Sequence, residues 1–129
     1  MAGIKIAQAP TFSARVSIPR LGDAATEVEF EFKSRTRKEL AELTDAWIQR
    51  NKADFDVIKE KGEAVTYAEI TDASIARETD QVRDVVVGWG FDEQLSHEAI
   101  YELVATYPGV ADAILKAYRE AFEPARLGN

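Results

Sequence analysis

The sequence predicts an α+β fold, in which an N-terminal antiparallel β-hairpin region of two or three strands packs on a mainly α-helical region of four to five helices. Apolar residues alternate with polar ones over the first third of the chain, and after residue 35 they recur at three- and four-residue steps. A chain of 129 residues has the usual size of one domain. We expect a single domain with a β-hairpin region (1–35), a helical region (36–122) and a flexible tail (123–129).

Two segments account for the predicted hairpin. In TFSARVSIP (11–19) and TEVEFEFK (26–33), every second side chain is apolar, which is typical of strands with one buried face. The other face of the second segment carries Glu27, Glu29 and Glu31. The connecting sequence PRLGDAA predicts a turn of more than two residues. Ile4 and Ile6 mark a candidate third strand.

The first helix is predicted to begin after Thr36, because Glu39 follows at the spacing of a capping box. Asn51 interrupts its apolar stripe, so one long helix and two shorter pieces both fit the pattern before Gly62. The stripe comprises Leu40, Leu43, Trp47, Phe55 and Ile58.

Residues 62–71 do not match a single type of element. Asp72 is the predicted N-cap of a second helix, which we expect to end at the Gly88-Trp89-Gly90 sequence. Ser96 is the predicted cap of the next helix, and Tyr107-Pro108-Gly109 predicts a tight turn into the last one. Because neither of these two helices is long enough to be stable alone, we expect them to form a hairpin and to bury their stripes against each other.

The composition argues against several classes of partner. The net charge of −7 disfavours nucleic acid, because such a surface repels phosphate. No apolar run reaches the ~18–20 residues of a membrane span, and the start, MAGIKIAQAP, does not resemble a secretory signal. The absence of cysteine excludes disulfides and thiolate metal sites. We therefore expect a cytoplasmic protein that binds neither nucleic acid nor membrane.

The sequence contains little that indicates catalysis. His97 is the only histidine, and we interpret it as a surface residue beside a helix cap. A small enzyme that uses His97 with Glu93 or Glu98 is the alternative. No nucleophile–histidine–acid set, metal-ligand cluster or phosphate-binding loop is evident. We predict no catalytic residues, no metal and no cofactor.

Charged and aromatic residues are the candidates for binding. The predicted strand that carries Glu27, Glu29 and Glu31 is followed by the basic sequence KSRTRK. These glutamates of one copy could therefore pair with Arg35 and Arg37 of another copy. A solvated charged face and, for the basic run, a phosphate site are the alternatives. The aromatic residues Trp89 and Phe91 flank Gly90, where they could serve as an interface or as core. The same alternatives apply to Tyr101, Tyr107 and Tyr118.

The C-terminal half, VVVGWGFDEQLSHEAIYELVATYPGVADAILKAYREA, resembles the tail assembly chaperones of long-tailed bacteriophages and prophages. The shared features are Gly88-Trp89, the acidic turn, Ser96 opening a helix, Tyr107-Pro108-Gly109 and Tyr118. The N-terminal half agrees through the PTF sequence at 10–12 and VEFEFKSRTRKEL. The resemblance covers residues 4–129 and depends on the order of these features along the chain.

The resemblance implies a non-enzymatic protein that binds the largely helical tape measure protein, recruits tail tube subunits and is absent from the mature virion. It also implies a homo-oligomer. We expect the contacts with the tape measure protein to include Trp89, Phe91, Tyr101, Tyr107 and Tyr118. A generic acidic adaptor unrelated to phage is the alternative. Many relatives have a longer form made by programmed frameshifting, and Leu127-Gly128-Asn129 can be encoded with the slippery run G-GGA-AAC.

Overall fold

A computed structural model of the chain describes residues 3–123, and within them it has a three-stranded antiparallel sheet and four α-helices. The α+β prediction is confirmed. In chain order the elements are β1 (Thr11–Arg20), β2 (Asp23–Lys33), α1 (Arg37–Lys61), a 3₁₀ turn (Gly62–Ala64), α2 (Tyr67–Val85), β3 (Val86–Trp89), α3 (His97–Thr106) and α4 (Val110–Glu120). The proposed tail at 123–129 and the codon argument at 127–129 fall almost entirely outside the described residues.

The β1–β2 hairpin has the predicted alternation. Val16 pairs with Val28 and Phe12 with Phe32, and the three glutamates of β2 lie on the exposed face. The connection is shorter than predicted, because Arg20 pairs with Asp23 and only two residues lie between them. Gly22 has a φ of 72°, a conformation that glycine adopts readily, and the register shifts where Pro19 lacks an N–H.

The third strand is not the one that the sequence suggested. Residues 4–6 form no strand, whereas Val86–Trp89 pairs antiparallel with β2, with Phe30 opposite Trp89 and Phe32 opposite Val86. The second helix therefore ends at Val85, short of the predicted glycines. The physical reason is the run of three valines at 85–87: β-branched residues favour extended backbone, and pairing with β2 places Val86 in the core.

Helix α1 is one continuous helix, and Thr36 and Glu39 form the predicted capping box. Leu40, Leu43 and Trp47 pack against the core cluster from its edge, and no residue of the helix is buried. Phe55, which the stripe was expected to bury, is 64% exposed.

Helix α2 begins earlier than predicted. Its N-cap is Thr66, not Asp72, and Thr66 and Glu69 form a second capping box. The start was missed because the two polar groups of this box lie in the segment 62–71, where the apolar pattern is weak.

Helix α3 begins with the predicted cap, since Ser96 Oγ accepts a hydrogen bond from the Ala99 N–H at 3.0 Å. Gly109, with φ of 85°, makes the turn into α4. The two helices do not bury their stripes chiefly against each other: α3 lies mainly on α2, and α4 lies on β1 and α2. Helix α2 and the sheet offer these two helices a larger apolar surface than the helices offer each other.

The core lies between the inner face of the sheet and the last three helices. Phe30, Phe32, Val82, Val85 and Ile114 have no solvent exposure. Tyr118 is 1% exposed and stacks near Phe12 and Phe32. The turn end of the hairpin extends past β3, and this overhang shapes the site described next.

Candidate partner-binding cleft

A half-open cleft of about 780 Å³ lies between the turn end of the sheet, the segment after β3 and one side of α3. We call it the sheet–α3 cleft. Its volume falls in the range of about 300–1,000 Å³ that binding pockets usually have. The sheet contributes residues 26–29, the connecting segment residues 89–93, and α3 and its C-cap contribute Leu103 and Tyr107 among others.

The cleft exists because β3 is short. It pairs with β2 only from Phe30 to Phe32, so within residues 3–123 the earlier part of β2 has β1 as its only strand partner. The chain turns away from the sheet at Gly90, where an added Cβ would lie 3.4 Å from the Glu29 carbonyl oxygen. A glycine at this position lets the backbone pass close to β2 before it leaves.

Two aromatic side chains form an apolar wall of the cleft. Trp89 and Phe91 meet edge to face, with ring centroids 5.0 Å apart and planes at 88°, and both rings also contact Phe30 edge to face. The indole N–H of Trp89 donates to the Glu93 carbonyl at 2.8 Å, which holds the connecting segment in place. Trp89 and Phe91 are half-buried, so each belongs partly to the core and partly to the cleft.

Carboxylates surround this apolar surface. The acidic rim consists of exposed residues that line the cleft, namely Glu27, Glu29, Asp92, Glu93 and Glu102. Glu27 has an ion-pair partner, Arg15, at 3.9 Å. Among residues 3–123, no lysine or arginine lies within ion-pair distance of the other four rim carboxylates. Arg20 is the one cation of the lining, and its guanidinium donates to the Thr26 hydroxyl.

The predicted partner contacts are distributed over three environments. Trp89, Phe91 and Tyr107 line the sheet–α3 cleft. Tyr101 is 43% exposed on α3 and is not part of the cleft lining. Tyr118 is in the core, so its side chain offers no surface to a partner in this conformation.

Tyr118 and Arg35 instead form a buried polar junction. Arg35 Nη1 donates to the Tyr118 hydroxyl at 3.0 Å, and Arg35 Nη2 donates to the Asp84 carbonyl at 2.8 Å. The Tyr118 hydroxyl donates to the Lys33 carbonyl at 3.0 Å. Arg35 is therefore engaged within its own chain, whereas Arg37 at the start of α1 is exposed.

The three glutamates of β2 lie in two different environments. Glu27 and Glu29 belong to the acidic rim, while Glu31 accepts a hydrogen bond from the Thr11 hydroxyl at 2.7 Å and lies against Gly88. The structure thus brings two candidate self-association residues beside the candidate partner contacts Trp89 and Phe91. Proximity in the sequence did not indicate this, because residues 27–29 and 89–91 meet only through the β2–β3 pairing.

Sequence reasoning did not predict that several apolar side chains of α1 and of the start of α2 are exposed. Their exposed fractions run from 36% to 87%, and the residues are Ile48, Phe55, Val57, Tyr67 and Ile70. Ile48 and Phe55 are seven residues apart and so share one side of α1, beside the stripe that includes Trp47. This seven-residue spacing is the feature of the sequence that could have indicated an apolar side of α1 beside the stripe.

His97 is exposed, and its Nδ1 lies 3.5 Å from Arg83 Nη1. Burial raises the pKa of Glu78 on α2, against a lowering effect of Arg77, but this residue is not in the cleft lining. In the described part of the chain, no three acidic or histidine residues are grouped in a way that could hold a metal ion. No helix there has the length and apolarity needed to cross a membrane.

Comparison with known proteins gives one match. A family model described as phage tail assembly chaperone matches residues 1–129, which is the whole of the sequence. Searches of curated proteins and of solved structures found no match.

Proposed function

Because the chain belongs to the phage tail assembly chaperone family, we propose that it binds the tape measure protein and helps to recruit tail tube subunits during tail assembly. The observation that carries the proposal is the family match over the full sequence. In this role the protein acts in the cytoplasm of the bacterial host, without a cofactor, and is absent from the mature virion.

The sheet–α3 cleft is the surface that we assign to the tape measure protein. Trp89, Phe91 and Tyr107 are half-buried, so they are held by the core on one side and offer aromatic surface on the other. Such rings anchor interfaces, because they bury a large apolar area with few rotatable bonds. Tyr101 is a further proposed contact on α3, outside the lining of the cleft.

In the proposed mechanism, the chaperone covers apolar side chains of the tape measure protein and later releases them to the tube. A tape measure segment seated in the cleft hides its apolar side chains from water, which prevents its aggregation before the tube assembles. The cleft is open on one side, so a tube subunit can compete for the same segment. Displacement of the chaperone by the tube then leaves no chaperone in the finished tail.

Co-expression with the tape measure protein encoded by the same phage genome tests this function. We expect the tape measure protein to become soluble and to co-purify with this chain. Tyr107→Ser should reduce co-purification, whereas Tyr67→Ser, which removes an 87% exposed tyrosine from the far end of the α1–α2 pair, should not. A tape measure protein that is equally insoluble with and without the wild-type chain would contradict the proposal.

We also propose that copies of the chain associate through Glu27, Glu29 and Glu31 of one copy and the basic start of α1 of another. Arg35 is less available for this than Arg37, because Arg35 is engaged with Tyr118 and Asp84. The expected result is an oligomer that weakens in high salt and with Arg37→Glu, as seen by sedimentation velocity. An oligomer indifferent to both changes would reject this contact.

A longer form of the chain, made by frameshifting at the codons for residues 127–129, completes the proposal. The gene sequence tests this hypothesis directly. If the sequence of these codons does not allow two paired transfer RNAs to re-pair after slipping by one base, the hypothesis is wrong.

A further inference from the structure

The sheet–α3 cleft combines two kinds of surface that select for different features of a ligand. Its walls are apolar, formed mainly by Val28, Trp89, Phe91, Leu103 and Tyr107. Its edges carry the five carboxylates of the acidic rim against the single cation Arg20. Apolar walls favour large apolar side chains, and the rim favours cations beside them.

The rim carboxylates are available for a partner. Glu29, Asp92, Glu93 and Glu102 are exposed and have no ion-pair partner among residues 3–123. The side chain of Glu27 is 62% exposed and its partner Arg15 is 74% exposed, so that pair is readily exchanged. Four exposed carboxylates around one opening give it a negative potential that attracts cations.

From this geometry we infer that the cleft recognises a polypeptide segment in which large apolar side chains are flanked by lysine or arginine residues. The statement that this segment belongs to the tape measure protein rests on the proposed function; the chemistry of the segment rests on the cleft alone. An acidic segment or a phosphate-bearing ligand would meet the rim with like charge.

The test uses a pair of synthetic peptides with identical leucine and phenylalanine positions, one with lysine and the other with glutamate at the flanking positions. Fluorescence anisotropy measures their binding to the full-length chain. We expect the lysine peptide to bind at least tenfold more tightly than the glutamate peptide, with an affinity that falls as salt is raised.

A triple variant removes three of the five rim charges without changing the walls: Glu29→Gln, Asp92→Asn and Glu102→Gln. Its matched control neutralises three exposed acids of α1, Glu42→Gln, Asp45→Asn and Glu60→Gln, and both variants change the net charge from −7 to −4. The rim variant should bind the lysine peptide about tenfold more weakly than wild type, since each exposed pair contributes modestly. The control should retain wild-type affinity. Thermal unfolding of both variants checks that the fold is intact.

The outcomes separate this inference from the proposed function. Equal losses in the two triple variants would show that only net charge matters, and the inference would be wrong. The inference would also be wrong if Tyr107→Ser left peptide binding unchanged. If the lysine peptide binds the cleft but the tape measure protein does not co-purify with wild type, the proposed function fails and the inference stands.

Discussion

At the scale of single residues, the junction of Tyr118, Arg35 and the carbonyls of Lys33 and Asp84 connects three parts of the chain. The tyrosine hydroxyl accepts from Arg35 Nη1 and donates to the Lys33 carbonyl, and both distances are 3.0 Å. Arg35 lies 83 residues from Tyr118 in the sequence. Buried polar groups that satisfy one another in this way make the loss of any member costly.

Tyr118→Phe should lower the free energy of unfolding by about 1–2 kcal/mol, because it removes two part-buried hydrogen bonds, one from Arg35 and one to the Lys33 carbonyl. Urea denaturation measures the change. The matched control is Tyr101→Phe, since the Tyr101 hydroxyl is exposed and makes no hydrogen bond among the described residues. We expect the control to stay within about 0.5 kcal/mol of wild type. Equal losses in both variants would argue against the junction.

At the scale of elements, the two long helices begin with the same device. Thr36 and Glu39 cap α1, and Thr66 and Glu69 cap α2, with each threonine hydroxyl accepting from the N–H of its glutamate. The Thr36 N–H donates to Glu39 Oε1 at 2.8 Å, and this bond is the main reason that the pKa of Glu39 lies below its ordinary value. An ion pair with Lys61 is the main cause of the lowered pKa of Glu69.

Glu39→Gln should make the protein less stable at pH 7, because the amide cannot replace the charge beside the helix N-terminus. The folded state holds the Glu39 pKa below its unfolded value, so the carboxylate stabilises the fold above that unfolded value, and its contribution is lost as the pH falls through the folded pKa. The difference between variant and wild type should therefore persist from pH 7 down to about pH 4.5 and disappear as the pH falls through the lower, folded pKa.

Unfolding curves at several pH values measure this difference. Glu42→Gln is the control, because Glu42 is exposed on the same helix and makes no hydrogen bond or ion pair among the described residues. A Glu39→Gln deficit that persists unchanged at low pH would mean that the charge is not its cause.

The α1–α2 pair is joined by polar contacts more than by burial. The Trp47 indole N–H donates to Asp84 Oδ2 at 2.8 Å, and Arg50 Nη1 pairs with Asp80 Oδ2 at 2.8 Å. Asp54 Oδ2 is buried without a hydrogen-bond partner, 3.7 Å from Arg77 Nη1. Because exposed or half-exposed ion pairs contribute little, this part of the fold should be its least stable part.

At the scale of the whole molecule, stability is distributed unevenly. The sheet, the second half of α2, and helices α3 and α4 supply the buried residues, whereas α1 supplies none over its 25 residues. A helix that buries little surface gains little stability from packing against its neighbours. It therefore opens more easily. The outer part of α1 and the start of α2 are also where the exposed apolar residues Phe55 and Tyr67 lie.

Native-state hydrogen exchange should therefore show amides of residues 48–61 opening at a lower free energy than those of β2 and α4. Arg50→Leu should speed exchange in this segment, because it leaves Asp54 and Asp80 without the cation between them, and should leave β2 unaffected. Arg37→Leu is the control, since Arg37 is exposed and forms no ion pair among residues 3–123. Uniform exchange across the chain would contradict this gradient.

The sequence alone determined the features that depend on neighbours within a few residues. The alternation in β1 and β2, the capping box at Thr36, the Ser96 cap and the turn at Gly109 were all predicted and confirmed. Period, capping and backbone conformation are local properties, so the residues that cause them are close in the chain. The family resemblance, which rests on the order of such features, was confirmed by the match to the whole sequence.

Only the tertiary structure decided what depends on residues far apart. Pairing with β2 made a strand of Val86–Trp89, the shortness of that strand opened the sheet–α3 cleft, and the same pairing brought Trp89 beside Glu29. Packing also divided the tyrosines between cleft, surface and core, and joined Arg35 to Tyr118. The physical reason is that burial and long-range pairing are set by which surfaces meet, and a side chain's own neighbours in the sequence do not specify that.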